Sequence, residues 1–328
     1  MPESKESKIT AGIWGAAGYT AGELVRILLN HPKVSLSHLV SESQAGSPIT
    51  SIHTDLLGET DLVFAEKFDT WPDVIFLCKG HGASVGFLKE QSIPESTKVI
   101  DLSHDFRLSS NPLGFVYGLP ELNADKVKKA RLIANPGCFA TAMELALLPA
   151  ASAGLLKSEI HISGITGSTG AGQSLSPTSH FTWRESNMSA YKVMEHQHLA
   201  EVAETLSFAS LAEVPPINFI PYRGNYTRGI ITTAYFDYTG DEAKLVKQYT
   251  DFYKKTPFTH VYSVNPDLKM VVNTNKCVVY PKKVGNKAVV ISVIDNLLKG
   301  ASGQAVQNMN LAMGWEERTG LQLKGVAF

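Results

Sequence analysis

The chain has 328 residues, 44% of them hydrophobic and 19% charged, with a net charge of −1. This is the composition of an ordinary globular protein of about two domains. The near-neutral balance and the lack of any uninterrupted apolar run of membrane-spanning length give no support to a nucleic-acid or membrane partner.

The start, Met1 to Lys8, is polar and mixed in charge with no apolar h-region, so no signal peptide is expected and a reducing cytoplasm is the default. Ile9 to Trp14 reads as a short buried strand. Gly12-x-x-Gly15-x-x-Gly18 follows, and Glu23 to Leu29 then has the density of a buried helix. Glycines between a first strand and a first helix permit a tight turn and close approach of a pyrophosphate, whose charge the helix N-terminus favours. Val34 to Val40 is a second strand; Val74 to Cys78 and Lys98 to Leu102 are two more. Runs apolar on both faces and separated by helices mean a parallel sheet covered on both sides. The fold class is therefore α/β, with a Rossmann-type, doubly wound dinucleotide-binding domain first.

The end of the second strand, Ser41-Glu42-Ser43, is where an adenosine ribose belongs. Glu42 suits a free ribose 2′-OH, whereas Ser41 and Ser43 suit a 2′-phosphate, so this segment leaves NAD and NADP open. Further on, Asp101-Leu102-Ser103-His104-Asp105-Phe106-Arg107 follows a strand. Arg107 can hold a carboxylate or phosphate bidentately, or pair internally with Asp101 or Asp105.

Asn135-Pro136-Gly137-Cys138 sets one cysteine on a sharp turn ahead of an apolar helical stretch. There a thiol sees unpaired backbone N–H groups and the positive end of the helix dipole, both of which favour thiolate. Cys138 is a candidate nucleophile; the alternative is a small buried residue at a helix start. The three cysteines, Cys78, Cys138 and Cys277, form no C-x-x-C pair, so neither a disulfide framework nor a metal site is indicated.

Later segments differ. Ile160 to Ile165, Gly229 to Phe236, Lys269 to Val272, Cys277 to Tyr280 and Ala288 to Ile294 are strand-like, with helical stretches at Leu199 to Phe208 and Asp241 to Lys254. This pattern predicts an α+β domain on a mixed or antiparallel sheet. A glycine-rich loop, Gly164 to Gly172, follows one of these strands, and Gly303 to Trp315 has helical spacing. Glu195-His196-Gln197-His198-Leu199-Ala200-Glu201 is the strongest histidine cluster, and His198 and Glu201 share a face on a helix. The cluster lacks a third metal ligand at suitable spacing, whereas a histidine beside a thiolate can serve as acid and base.

Taken together these residues resemble the N-acetyl-γ-glutamyl-phosphate reductase family of arginine biosynthesis. The resemblance rests on Gly15-Ala16-Ala17-Gly18-Tyr19-Thr20, Asp101-Leu102-Ser103, Asp105-Phe106-Arg107-Leu108, Tyr117-Gly118-Leu119-Pro120-Glu121 and Ala134-Asn135-Pro136-Gly137-Cys138. It continues through His196-x-His198-x-x-Glu201, Arg228-Gly229-Ile230 and Asp295 to Gln304. It implies a fold like glyceraldehyde-3-phosphate and aspartate-semialdehyde dehydrogenases, with residues 1–140 as nucleotide domain, 141–300 as catalytic and dimerisation domain and 301–328 as a helix returning to the first. It also implies NADPH-dependent reduction of an acyl phosphate to an aldehyde through a Cys138 thioester, with His196 as acid/base.

By the same resemblance Arg107, His198, Tyr191, Glu201 and Thr169 bind substrate. Gly15, Ala16, Ala17, Gly18, Tyr19, Thr20, Ser41, Ser43 and Asn296 bind NADP(H), and the protein is a cytoplasmic homo-oligomer, a dimer or tetramer. The chain departs from the family pattern at Ser41-Glu42-Ser43, where Ser-Arg-Ser is usual, and at Phe139-Ala140, where Tyr-Pro is usual. Thr169 and Gln173 stand where serine and arginine are usual. The nearest alternatives are the same chemistry on an N-succinyl-glutamyl or aminoadipyl phosphate and an aspartate-semialdehyde dehydrogenase-like enzyme. A thiol hydrolase using Cys138 and His196, and a non-catalytic nucleotide sensor, are alternatives from other classes.

Overall fold

A computed structural model describes residues 8–327. The polar start that bears on a signal peptide lies almost wholly outside them. The chain divides into two compact units, residues 1–136 with 302–322, and residues 137–301 with 323–328.

In the first unit, β1 (Ile9–Trp14), α1 (Tyr19–Leu29), β2 (Val34–Val40), β3 (Val74–Leu77), α2 (Ala83–Glu90), β4 (Lys98–Asp101), β5 (Val116–Tyr117), α3 (Pro120–Lys129) and β6 (Leu132–Ala134) succeed one another. The six strands form one parallel sheet in the order β2-β1-β3-β4-β6-β5. β3 is buried throughout, the signature of a strand covered on both faces. Strand order reverses between β1 and β3, the topological switch point where such sheets bind ligands. Gly15 lies there at φ +81°, and a Cβ on it would come within 2.6 Å of the Lys79 nitrogen after β3. Only glycine lets the two loops meet so closely.

Helix α8 (Ser302–Ala312) completes this unit, packing on α1 and α3. It is buried on every side although Gln304, Gln307, Asn308 and Asn310 are polar. Asn310 donates to the Glu317 and Thr319 carbonyls, and Asn308 donates to the Gly118 carbonyl and the Asn135 side chain. Such bonds are what make polar burial tolerable. The helix stops short of the expected Trp315 because Gly314, at φ +72°, turns the chain and the Trp315 N–H closes back on the Asn310 carbonyl at 2.8 Å.

In the second unit, α4 (Cys138–Ser152), β7 (Ile160–Thr166), α5 (Phe181–Arg184), β8 (Ser189–Ala190), α6 (His198–Ser210), β9 (Ile217–Arg223), β10 (Ile230–Asp237), α7 (Glu242–Tyr253), β11 (Thr259–Val261), β12 (Cys277–Val284) and β13 (Lys287–Ile294) follow in order. The sheet is mixed, in the order β11-β12-β13-β10-β7-β9-β8, with β7/β9 and β11/β12 parallel. β10 alternates buried positions with partly or fully exposed ones, the pattern of a strand with one face packed on the core. The stretch Lys269–Val272, expected as a strand, is instead a single helical turn at Leu268–Met270. The Asp267 carboxylate accepts from the Lys269 N–H at 2.8 Å, and this local bond draws the backbone into a turn.

α4 is the centre of this unit and is buried nearly end to end. It carries Pro149, which has no N–H to give to the Leu145 carbonyl. The Tyr253 hydroxyl donates to that carbonyl at 2.5 Å, and the Tyr249 hydroxyl donates to the next, Ala146, at 2.7 Å. α7 thus repairs the break that proline makes in α4. Tyr253→Phe should cost about 1–3 kcal/mol by leaving a buried carbonyl unmet. In a Pro149→Ala background the restored N–H should reduce that cost to below about 0.5 kcal/mol. Urea denaturation of the double-mutant cycle tests the coupling, and equal costs in both backgrounds would refute it.

Candidate active site

In the first unit the loop after β1 has the form that a dinucleotide diphosphate needs. The Gly15 and Ala16 N–H groups donate to the Val40 carbonyl at 3.0 and 2.9 Å, pinning the loop to β2. Gly18 caps α1 in extended backbone, without a side-chain cap and with no acidic residue in the first turn. The first-turn N–H groups, beginning at Tyr19 and Thr20, are thus presented to an anion. The Thr20 hydroxyl hydrogen-bonds Cys78, whose thiol is held far above its ordinary value by loss of solvation.

Ser41 is buried, Ser43 is exposed, and Glu42 between them is ion-paired to the Lys79 ammonium at 3.1 Å. Lys79 also lies over the Trp14 ring, 4.8 Å from its centroid. Trp14, Glu42 and Lys79 border a cavity of about 300 Å³, with Glu66, Lys67, Phe68, Phe87 and Glu90 among its other walls. The aromatic walls suit a purine, and Lys67 and Lys79 are the cations of a lining that also holds three carboxylates. Lys79 supplies a cation beside position 42.

Arg107 is buried in this unit. Its Nε donates to the Asn135 carbonyl at 2.9 Å and Nη2 to the Leu102 carbonyl at 3.0 Å. Asp101 is engaged by the Ser84 and Ser103 hydroxyls, and Asp105 by the Gly82 N–H and His104.

In the second unit Gly137 caps α4 and Cys138 is its first residue, with no acidic residue in the first turn. Gly300 has no Cβ, and one placed there would come within 2.8 Å of the Cys138 Cβ and 2.7 Å of the Asn296 carbonyl. Cys138 can therefore sit directly against the turn after β13. Glu201, on α6, accepts from the Gly137 N–H at 3.2 Å through one oxygen, and its other oxygen lies 3.7 Å from His198 Nε2. Glu201 thus ties the cysteine turn to the histidine helix.

His196 is buried in an aromatic cage, with the Phe139, Phe219 and Tyr191 rings 5.6, 5.6 and 5.8 Å away. Gly164 makes room for Phe139, whose ring would meet a Cβ there at 2.6 Å. Loss of solvation, with help from the charges of Lys192 and Arg223, pushes His196 down to about 4. Its Nδ1 accepts the His198 N–H at 3.2 Å, so the neutral ring carries its proton on Nε2. Tyr191 is pushed up to about 12 by burial and by the charge of Cys138, against the opposing pull of Arg223.

Asn296 spans the same region. Its Oδ1 accepts the Gly229 N–H at 2.7 Å, and its Nδ2 donates to the Thr169 hydroxyl at 3.0 Å. Thr169 in turn donates to the Thr227 carbonyl at 2.6 Å. Asn296 and Thr169, singled out separately, thus form one network that shapes the glycine-rich loop after β7. Arg223 and Phe219, both on β9, went unnoticed in sequence because Pro221 argues against a strand and apolar Ile220 and Tyr222 leave no polar face to alternate.

Among the described residues no group of three or more metal-ligating side chains is present, and no helix is long and apolar enough to cross a membrane. None of the cysteines is in a disulfide, and Cys277 contacts the Ser292 hydroxyl at 3.4 Å.

Comparison with known proteins agrees with this arrangement. Residues 10–130 match the semialdehyde dehydrogenase NAD-binding domain, and residues 138–296 match the semialdehyde dehydrogenase dimerisation domain. Solved structures with the same fold include aspartate semialdehyde dehydrogenase II of Vibrio cholerae, at a TM-score of 0.72 and 16% identity over 94% of this chain and 99% of that one. Another is aspartate semialdehyde dehydrogenase with NADP from Candida albicans, at 0.70 and 15% over the same shares.

N-acetyl-gamma-glutamyl-phosphate reductases from Christiangramia forsetii and Azobacteroides pseudotrichonymphae are 54% and 53% identical. The one from Parabacteroides distasonis is 51% identical, and in all three cases the match covers 98% of this chain and 100% of the relative. The chain belongs to the N-acetyl-γ-glutamyl-phosphate reductase family, built on the semialdehyde dehydrogenase fold.

Proposed function

We propose that this protein reduces N-acetyl-γ-glutamyl phosphate to N-acetylglutamate 5-semialdehyde with release of phosphate, using NADPH, in arginine biosynthesis. The observation that carries the mechanism is the Cys138 thiol at the mouth of buried α4, in the same unit as a neutral, caged His196. As a thiolate, Cys138 attacks the acyl carbon, the carbon–oxygen bond to phosphate breaks, and the acyl group stays on sulfur as a thioester. The cofactor supplies a hydride when bound.

His196 acts on the oxyanion. Its Nε2–H donates a hydrogen bond to the negative oxygen formed at the acyl carbon, and after hydride arrives that oxyanion collapses to the aldehyde as the carbon–sulfur bond breaks and Cys138 leaves as thiolate, the ring keeping its own proton. Glu201 and His198 position the cysteine turn, and Tyr191 and Thr169 border the substrate. The diphosphate of NADP(H) falls to Gly15, Ala16, Ala17, Gly18, Tyr19 and Thr20, and the adenosine end to Ser41 and Ser43, with Asn296 on the nicotinamide side. The unit beginning at Gly137 also carries self-association, as a dimer or tetramer, and the protein works in the cytoplasm on a small-molecule substrate.

The direct test is phosphate-dependent reduction of NADP⁺ with N-acetylglutamate semialdehyde. Cys138→Ala should lower kcat by about a thousandfold or more. Unchanged turnover in that variant would end the thioester mechanism.

The His196 ring should titrate well below 6.5 in the resting enzyme, near 4. Its protonation then removes the neutral form only as pH falls through that range, and activity at pH 6–8 should show no loss from this group. NMR titration of His196 measures this directly; a value at or above 6.5 would contradict the cage argument.

For the cofactor, Lys79 offers a cation where Glu42 replaces the family's arginine, so NADPH is preferred by a smaller margin than an arginine at position 42 would give. Lys79→Ala should weaken NADPH binding about tenfold with less effect on NADH, roughly the value of one lost phosphate contact. Calorimetric Kd values decide; equal losses for both nucleotides would show that Lys79 does not read the phosphate.

A further inference from the structure

Arg223 ends β9, in register with Thr166 of β7 on one side and Ser189 of β8 on the other. This places it level with the start of the glycine-rich loop. Its guanidinium lies over the Tyr191 ring, 4.7 Å from the centroid, and its charge reaches both Tyr191 and His196. Tyr191 in turn feels the charge of Cys138. Arg223 therefore faces the same cluster that carries the proposed chemistry.

A second guanidinium stands beside it. Arg184, buried, donates to the Arg223 carbonyl at 2.8 Å and to the Thr178 carbonyl at 3.0 Å, so its donors are occupied with backbone. Each cation raises the cost of the other, and among the described residues neither has a carboxylate within ion-pairing distance. Arg223 Nε is buried and has no acceptor in the protein. A buried, unmet guanidinium N–H next to a like charge is unfavourable unless an anion arrives from outside. The guanidinium is fixed beside Tyr191 by the ring and by a hydrogen bond to that side chain, and its planar fork matches a two-oxygen anion, which is the shape of a carboxylate.

We propose that Arg223 is a substrate-binding, specificity-determining residue that receives a carboxylate of the acyl-phosphate substrate. The inference rests on the reductase reading above. Two carboxylates could fill the role: the α-carboxylate of the glutamyl group, present in every substrate of this class, or a second carboxylate on the N-acyl group, present only when the acyl chain is dicarboxylic.

The test is steady-state, phosphate-dependent reduction of NADP⁺ with N-acetylglutamate semialdehyde and with N-succinylglutamate semialdehyde. The proteins are wild type, Arg223→Leu and Arg223→Lys, each checked for an unchanged melting temperature and for wild-type alkylation of Cys138 by iodoacetamide. Arg223→Leu should raise KM at least tenfold with kcat within threefold of wild type, and Arg223→Lys should restore part of the loss. An increase for both substrates places the α-carboxylate on Arg223; an increase confined to the N-succinyl compound places the acyl carboxylate there, and either result supports the assignment. Unchanged KM for both substrates, or a fall in kcat alone, would overturn it. Because wild-type turnover is measured alongside, loss of this assignment is distinct from loss of the reductase reading, which fails only if wild type turns over neither semialdehyde.

Discussion

The mouth of α4 is the constraint on which the second unit is organised. A thiol becomes a useful nucleophile when its charge is stabilised without being neutralised, and a helix N-terminus does this with N–H groups that cannot move away. Everything near Cys138 serves that placement. Gly137 turns the chain, Glu201 holds the Gly137 N–H, and Gly300 leaves room for the Cys138 side chain. The helix behind is buried on all sides, and two tyrosines from α7 secure its backbone where Pro149 interrupts the ladder. A frayed α4 would weaken both the dipole and the position of the sulfur.

The histidine pair shows how one short motif divides its labour. His196 sits in an aromatic cage that keeps it neutral, and the His198 N–H selects its tautomer. His198, two residues on, starts α6 and faces Glu201. One ring is held neutral among aromatic side chains while the other belongs to the brace that ties the cysteine turn to α6. Phe139, where the family more often has tyrosine, is part of the cage, and Gly164 accommodates it. The two positions are packed against each other, so a larger residue at 164 would displace the wall of the cage.

Charge in this protein is arranged locally rather than globally, since basic and acidic side chains nearly cancel over the whole chain. In the first unit the Glu42–Lys79 pair sits at the rim of an aromatic-walled cavity. In the second, Arg184 and Arg223 stand near each other with no carboxylate paired to either among the described residues. The first arrangement tempers a cation and the second leaves one demanding.

Much of this was legible in the residues themselves. Continuous apolar runs such as Val74–Leu77 mark strands buried on both faces, and those boundaries emerge almost unchanged because burial on two sides leaves no other pattern. The Gly15 to Thr20 loop and the Asn135–Cys138 turn are local, since their geometry is set by glycine and proline within a few residues. β9 was not legible, because Pro221 argues against a strand and apolar Ile220 and Tyr222 blur its alternation, and with it went Arg223. The turn at Leu268–Met270 was misread as a strand because an aspartate's bond to nearby backbone outweighs a short apolar run. What only the tertiary structure decided is which polar groups meet across long separations: Glu201 with Gly137, Asn296 with Thr169 and Gly229, Arg223 with Tyr191. Sequence determines which groups are available within a helix turn or a loop, whereas hydrogen bonding and charge act at a few ångströms and depend on which distant segments the packed sheet brings together.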